Sequence, residues 1–214
     1  MIEDAAGFVL AGGLSTRMGR DKAMLLFAGR PLVARAVDIL RQAGLSASIS
    51  GERDDLAAFA PVVADRVPGQ GPLGGLCAAL ESTPARWAVF LPVDAPLLPP
   101  ALVTHLLRFA QSSGAAVTIS SVGGFEHTFP AVLDRAVLPT LRAELESGRR
   151  KCFSAMKAAA LMLGQTMSVI AVESPAHAGA IVHPAGLKPE QWFLNVNTPE
   201  EFAAAESLAG GGIA

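Results

Sequence analysis

The chain has 214 residues, a length typical of one domain or of one domain with a small extension. Its 51% of apolar and 17% of charged residues exclude a disordered chain, and its formal net charge of −2 gives no general attraction for nucleic acid or for an anionic membrane. No apolar run reaches the ~18 residues that a membrane span needs, so we expect a cytoplasmic protein without membrane or nucleic-acid partners, in which local groups bind any anionic ligand.

The first candidate site follows the first predicted strand. The apolar run 8–10 predicts a buried strand, and the segment after it contains Gly12, Gly13, Arg17 and Lys22. Glycine lets backbone N–H groups approach an anion closely, while Arg and Lys add positive charge. We interpret the segment as a phosphate-binding loop at the carboxyl end of a strand, with a solvated surface turn as the alternative. It is not a P-loop, because no Ser or Thr follows Lys22.

Strand and helix patterns alternate along the rest of the chain. This alternation predicts a largely parallel sheet with helices on both faces. We therefore predict an α/β fold, a three-layer α/β/α Rossmann-like domain over residues 1–209, with the active site along the carboxyl edge of the sheet and a flexible tail at 210–214. The later predicted strands are 47–50, 61–64, 87–91, 115–120, 125–133 (which could be antiparallel) and 169–172. The predicted helices are 31–43, 55–59, 100–111, 134–146 and 198–208, with an irregular connection at 174–190.

Two acidic residues follow predicted strands. Asp65 comes directly after the third strand, and Asp94 follows the continuous apolar run 87–91, which is typical of a central parallel strand. Pro92 and Pro96 stiffen the backbone around Asp94. A Mg²⁺ ligand is our leading interpretation of Asp94, and a helix cap is the alternative.

A second glycine-rich segment, residues 69–76, matches the G-x-G-x-x-G pattern of dinucleotide-binding proteins. Asp94 lies twenty residues beyond Gly74, as that pattern requires. However, the segment follows the third strand instead of the first, and Pro72 removes an amide that a pyrophosphate would need. We therefore expect a turn that opens a helix, and a dinucleotide-dependent oxidoreductase is the least favoured interpretation.

Two segments resemble a known family. The first, Leu10-Ala-Gly-Gly-x-Ser-x-Arg-Met-Gly-x-Asp-Lys22, resembles the signature loop of nucleotidyltransferases, and its Gly-Gly and Asp-Lys variants resemble the molybdenum cofactor guanylyltransferases, which are MobA-like. The segment 193–201, Phe-Leu-Asn-Val-Asn-Thr-Pro-Glu-Glu, resembles the closing motif of the same family. The resemblance implies a nucleotidyltransferase fold and transfer of GMP from GTP to the phosphate of Mo-molybdopterin, with Mg²⁺ as cofactor. The products are molybdopterin guanine dinucleotide and pyrophosphate.

The resemblance also implies roles for individual residues. Lys22, Arg17 and Asp94 are the expected catalytic residues, and Asp94 is the expected Mg²⁺ ligand. For the second substrate it implies Asn195 and Asn197, and the family tends to have a Gly-(x)-Arg-Arg segment where Arg149 and Arg150 stand. The nucleotide site is expected to comprise Leu10, Ala11, Gly12, Gly13, Lys22, Ser50, Asp65, Gly71 and Asp94.

Three features leave alternatives open. Ser50 stands where the family often has an asparagine, so guanine choice is less firmly implied than nucleotidyl transfer, and CMP transfer or transfer to a sugar phosphate is an alternative. Two residues separate His127 from Pro130, whereas the family has a His-Pro pair facing the second substrate. A non-catalytic GTP-sensing module is therefore a further alternative. Arg149 and Arg150 could also be solvated cations at a helix end. The expected partners are GTP, Mo-molybdopterin and a molybdenum cofactor carrier or acceptor molybdoenzyme, bound by a monomer.

Overall fold

A central sheet of seven strands organises the protein. The computed structural model describes residues 4–11, 21–65 and 69–210. Over these residues the strands are β1 (Ala5–Leu10), β2 (Leu26–Phe27), β3 (Arg30–Pro31), β4 (Ser46–Ser50), β5 (Val62–Val63), β6 (Trp87–Pro92), β7 (Val117–Val122), β8 (Phe125–Asp134) and β9 (Ser168–Ala171). The helices are α1 (Leu32–Gln42), α2 (Gly71–Ser82), α3 (Pro100–Ser113), α4 (Leu138–Glu146), α5 (Cys152–Met162), α6 (Glu173–His177), α7 (Pro189–Trp192) and α8 (Pro199–Gly210).

The sheet is mostly parallel. Its strand order is β5-β4-β1-β6-β8-β7-β9, and β5, β4, β1 and β6 run parallel to one another. Strand β8 is antiparallel to both β6 and β7, while β9 is parallel to β7. The predicted fold class is confirmed, and the segment 125–133 is the antiparallel strand. Because β1, β4, β5 and β6 are parallel, their carboxyl ends meet at one edge of the sheet.

Helices cover both faces of this sheet and give the three layers. Side chains of α1 and α3, such as Val33 and Leu106, pack on one face. Side chains of α2, α4 and α5, such as Leu76, Leu141 and Met156, pack on the other face. Each of these side chains is fully buried, and such burial contributes about 1.5–3 kcal/mol per large aliphatic side chain. These two apolar layers hold the carboxyl edge in a fixed geometry.

A smaller apolar cluster joins helix α8 to the β2–β3 hairpin. Phe27, in the β2–β3 hairpin, packs with Leu97, Val196 and Ala205. Helix α8 starts with the predicted capping box, because Thr198 Oγ1 accepts from Glu201 N (3.2 Å) and Glu201 Oε2 accepts from Thr198 N (3.1 Å). Helix α8 is therefore fixed beside the β2–β3 hairpin and the segment that follows β6.

Several elements differ from the sequence prediction. The predicted helix 55–59 is a 3-10 turn at Asp54–Leu56, and the helix predicted from 134 begins at Leu138, because Asp134 caps a 3-10 turn through its bond from Ala136 N (2.9 Å). The connection 174–190 contains most of α6 and the start of α7. Helix α5 and the β2–β3 hairpin were not predicted.

Helix α8 extends to Gly210, and residues 211–214 of the predicted tail lie outside the described residues. The single domain over 1–209 stays a prediction. No helix in the described part of the chain is both long and apolar enough to cross a bilayer.

Candidate active site at the carboxyl edge of the sheet

A cavity of about 560 Å³ opens where β1, β4, β5 and β6 end. Eight of the residues expected at the site line it, namely Leu10, Ala11, Lys22, Ser50, Asp65, Gly71, Asp94 and Asn195. Gly12, Gly13 and Arg17 lie outside the described residues. The parallel strands thus bring together residues that are far apart in the sequence, as is usual for ligand sites in open α/β sheets.

Lys22 lies at the centre of this group. Its Nζ donates to Asp94 Oδ2 (2.8 Å) and to Asn197 Oδ1 (2.6 Å). The side chains of Lys22 and Asp94 are 12% and 25% exposed, so the ion pair is only partly screened by water. The backbone of the same segments is also joined, because Val196 N donates to the carbonyl of Asp94 (2.9 Å). One ammonium group therefore connects the loops after β1 and β6 to the segment before α8.

The same contacts provide a test of whether a divalent metal fits. Asp94 and Asn197 direct two oxygen atoms at a single cation, the Lys22 ammonium. Oxygen is the donor that Mg²⁺ prefers, and Mg²⁺ is usually bound by one or two carboxylates together with substrate phosphates. Among the described residues, no cluster of three or more His, Cys, Asp or Glu side chains could hold a metal. The donor set thus fits a metal shared with a nucleotide and not a metal caged by protein alone.

Arg53 lines the cavity, and sequence reasoning missed it. Its Nε and Nη2 donate to Asp55 (2.9 and 2.8 Å), its Nη1 donates to Asp21 Oδ1 (3.1 Å), and its Nη2 also donates to Asp21 Oδ2. The bonds from Arg53 lower the pKa of Asp55, and the hydrogen bonds, led by that to Asp55, raise the pKa of Arg53 above its ordinary value. Arg53 is therefore a permanent cation held between two carboxylates.

Ser50 has a packing partner in helix α2. Its Oγ donates to the carbonyl of Gly75 (2.9 Å), and the residue is 1% exposed. A Cβ at position 75 would lie 2.9 Å from this oxygen, a distance that real Cβ atoms essentially never show. Gly75 thus allows α2 to approach β4 closely. The hydroxyl proton of Ser50 is used in this contact, so only its lone pairs remain for a ligand.

Asp65 has a carboxylate oxygen without a partner. Its Oδ1 is buried and accepts no hydrogen bond from the described residues. Burial, together with the charge of Glu52, raises the pKa of the Asp65 carboxyl. Cβ atoms at Gly74 and Gly75 would lie 3.3 and 3.8 Å from its two oxygens, so the glycine pair makes room for the carboxylate beside the start of α2. A buried acceptor of this kind is suited to a ligand that donates N–H groups.

An aromatic pair forms another part of the cavity wall. The rings of His127 and Phe193 stack with centroids 4.1 Å apart, and His127 Nε2 is buried without a partner among the described residues. Burial lowers the pKa of His127, which keeps the ring neutral near pH 7. Both residues line the same cavity as Lys22. The position of His127 could not be predicted, because the family pattern is interrupted after it.

Arg149 and Arg150 do not line the cavity. Arg149 is exposed and donates twice to Glu144 (2.7 Å each), which lowers the pKa of that carboxyl. Arg150 Nη1 donates to the carbonyl of Gly69 (3.3 Å). The geometry therefore favours the alternative of exposed cations near a helix end over a contact with the second substrate.

The comparisons with known proteins agree with this architecture. The family model of the MobA-like NTP transferase domain matches residues 7–161. The chain belongs to the MobA-like NTP transferase family. Curated relatives of this chain include a molybdenum cofactor guanylyltransferase of Rhizobium meliloti, 34% identical over 93% of this chain and 89% of the relative, and one of Vibrio cholerae, 32% identical over 96% and 93%. The resemblance drawn from the sequence is confirmed, and the MobA-like chain is a nucleotidyltransferase.

Solved structures support the fold of this MobA-like protein. Molybdopterin-guanine dinucleotide biosynthesis protein A from Archaeoglobus fulgidus aligns with a TM-score of 0.76 at 20% identity, covering 96% of this chain and 99% of that one. CMP:2-keto-3-deoxy-manno-octonic acid synthetase, solved with CTP, aligns with a TM-score of 0.70 at 14% identity, covering 98% and 99%. At these identities the similarity shows the shared fold alone.

Proposed function

We propose that this protein transfers GMP from GTP to the phosphate of Mo-molybdopterin, in a reaction that depends on Mg²⁺. The observation that carries the proposal is that Lys22 and Asp94 line the cavity on the carboxyl edge of the sheet as a bonded pair, with Asn197 Oδ1 as the second acceptor of the Lys22 ammonium. The relatives that match most of this chain are named molybdenum cofactor guanylyltransferases, which supports the choice of both substrates.

In the proposed reaction the acceptor phosphate is itself the nucleophile. One of its oxygens forms a bond to the α-phosphorus of GTP, and the bond from this phosphorus to the β-phosphate breaks, so pyrophosphate leaves with the electron pair. The protein therefore needs to align two anions and to balance the charge that develops on the phosphate oxygens. Lys22 and Arg17 supply positive charge to the triphosphate, and the backbone of residues 10–13 binds around it. A Mg²⁺ ion held by Asp94, with Asn197 as a second oxygen donor, would add charge stabilisation at the phosphates.

Asp65 is our candidate for the residue that selects guanine over cytosine. Guanine carries two adjacent N–H donors on its Watson–Crick edge, whereas cytosine carries one amino group there. No described residue donates to the buried Oδ1 of Asp65, so this carboxylate can accept the two donors of guanine, and Ser50 has already used its proton on Gly75. We expect Asp65→Asn to weaken GTP binding about tenfold, because the amide places a donor against the donors of guanine. CTP binding should change less; equal losses for both nucleotides would contradict the role.

For the acceptor substrate, the aromatic part of the cavity is better placed than the arginine pair. Asn195 lines the cavity together with His127 and Phe193. Stacked rings with an unpartnered ring nitrogen can bind a flat heterocycle that forms hydrogen bonds. We therefore propose that Asn195 faces the acceptor and that Arg149 has no part in binding it. Asn197 does not line the cavity, and its Oδ1 accepts from Lys22, so we assign Asn197 to the metal side of the site.

The test is release of pyrophosphate by the purified protein with Mo-molybdopterin, comparing GTP, CTP and ATP, with and without Mg²⁺. Release with GTP that stops when EDTA removes the metal would support the proposal. Release with CTP alone would indicate CMP transfer. Binding of GTP without any release, also when a sugar phosphate replaces the pterin, would indicate a GTP-sensing module.

A further inference from the structure

Arg53 and Asp21 form a connection between the end of β4 and the turn that carries Lys22. Arg53 follows β4, and its backbone N–H donates to the carbonyl of Gly51 (3.0 Å) in a tight turn. Gly51 has φ 138°, which side-chain-bearing residues rarely adopt. The turn directs the Arg53 guanidinium toward Asp21, which accepts bonds from both of its terminal nitrogens.

Asp21 links Arg53 to the backbone turn that contains Lys22. Its Oδ1 also accepts a hydrogen bond from Ala23 N (3.1 Å), and so caps the 3-10 turn Lys22–Met24. The next side chain, Ala23, is buried. One carboxylate therefore holds both the guanidinium and the first turn of backbone that contains Lys22. If Arg53 released Asp21, the turn would keep its cap but lose its side-chain connection to the end of β4.

We propose that Arg53 is a positioning residue that fixes Lys22 for the triphosphate by holding Asp21. The inference rests on the proposed function, since it assumes that Lys22 binds the triphosphate. Arg53 makes four hydrogen bonds to Asp21 and Asp55 through all three of its guanidinium nitrogens. All three nitrogens are thus bonded to carboxylates of the protein. Arg53 therefore acts by positioning Lys22 and does not contact the nucleotide.

Two substitutions distinguish the effect of mispositioning Lys22 on GTP binding from the effect of changing the charge of the site. Arg53→Lys conserves the charge but cannot reproduce the planar fork that reaches two carboxylates at once. Asp21→Asn keeps an oxygen that can cap Ala23 N but weakens the bonds to Arg53. Removal of a negative charge close to a triphosphate site should by itself tighten GTP binding, whereas loss of positioning should weaken it. The sign of the Asp21→Asn effect therefore distinguishes the two causes.

The experiment measures the dissociation constant of GTP with Mg²⁺, without acceptor, in the full chain and in the Lys22→Met background. We expect Arg53→Lys and Asp21→Asn each to weaken binding about tenfold when Lys22 is present, and less than twofold in the Lys22→Met background, because contacts within one network are non-additive. Arg86→Lys is the matched control: it alters the ion pair of Arg86 with Asp134 (2.8 Å), which does not line the cavity. Its GTP affinity should stay within twofold of the parent.

Each outcome decides a different point. If Lys22→Met leaves GTP affinity unchanged, the proposed role of Lys22 fails. If Lys22→Met weakens binding but Arg53→Lys does not, or weakens it equally in both backgrounds, Lys22 keeps its role and the positioning role of Arg53 is refuted. Tighter binding by Asp21→Asn would also refute it. If Arg53→Lys fails to fold, Asp21→Asn alone gives the answer.

Discussion

Replacing Lys22 by Met should change nucleotide binding and metal binding in opposite directions. In the structure the ammonium of Lys22 is bonded to the two oxygens that would hold a divalent ion, at 2.8 Å to Asp94 and 2.6 Å to Asn197. A hydrogen bond to a charged group contributes about 1.5–3 kcal/mol. A metal without nucleotide must displace at least the bond to Asp94. Loss of Lys22 should therefore tighten metal binding by about 1.5 kcal/mol, which is roughly tenfold, while GTP affinity falls.

The assay is a titration of the nucleotide-free protein with Mn²⁺, whose bound fraction is measured by electron paramagnetic resonance and which accepts the same oxygen ligands as Mg²⁺. Lys157→Met is the matched control, because Lys157 is an exposed lysine on α5 outside the cavity and its loss changes the net charge equally. Metal affinity that is unchanged or weaker in Lys22→Met, relative to this control, would refute the idea that the ammonium and the metal share Asp94 and Asn197.

Three further predictions follow from the geometry of the site. Asp94→Asn should lower pyrophosphate release by about 10²-fold or more without altering the circular dichroism spectrum, and near-normal turnover would mean that the metal is held elsewhere. Gly75→Ala should lower the free energy of unfolding in urea by about 1–3 kcal/mol, since its Cβ would meet Ser50 Oγ at 2.9 Å; Ser50→Gly in the same chain should recover part of the loss. Burial lowers the pKa of His127 in the folded state, so the unfolded chain binds more protons as the pH falls below about 6.5 and stability decreases. His127→Gln should reduce this decrease in urea unfolding between pH 7 and 5, and an unaltered slope would contradict the burial argument.

The parts of the fold that could be predicted are those with strong local patterns. The apolar run 87–91 predicted β6, and Thr198 with Glu201 predicted the start of α8, because strands with two buried faces and capping boxes each leave a signature within a few residues. Asp65 and Asp94 were predicted at the site from their positions after strands. Their meeting at one edge follows from parallel strands alone.

The parts that could not be predicted depend on contacts between distant segments. The β2–β3 hairpin pairs only two residues on each side, and its stability comes from packing of Phe27 against α8. Arg53 stands in a short polar segment without a pattern, and its role is visible only once Asp21 lies beside it. Helix α5 has a signal that was overlooked: its buried residues 152, 155, 156, 159 and 160 follow helical spacing.

The hydrogen bonds of Lys22 also bear on how the chain folds. Its two acceptors lie 72 and 175 positions away in the sequence, and the farther one belongs to the segment just before α8. Contacts of such long sequence separation form late, because the chain must first close the intervening loops. Asn197 is further fixed by Glu201, whose carboxylate accepts its backbone N–H (2.7 Å). A growing chain that has already folded its first strands therefore lacks the complete charge arrangement around Lys22, and the pocket matures only after the segment before α8 has docked.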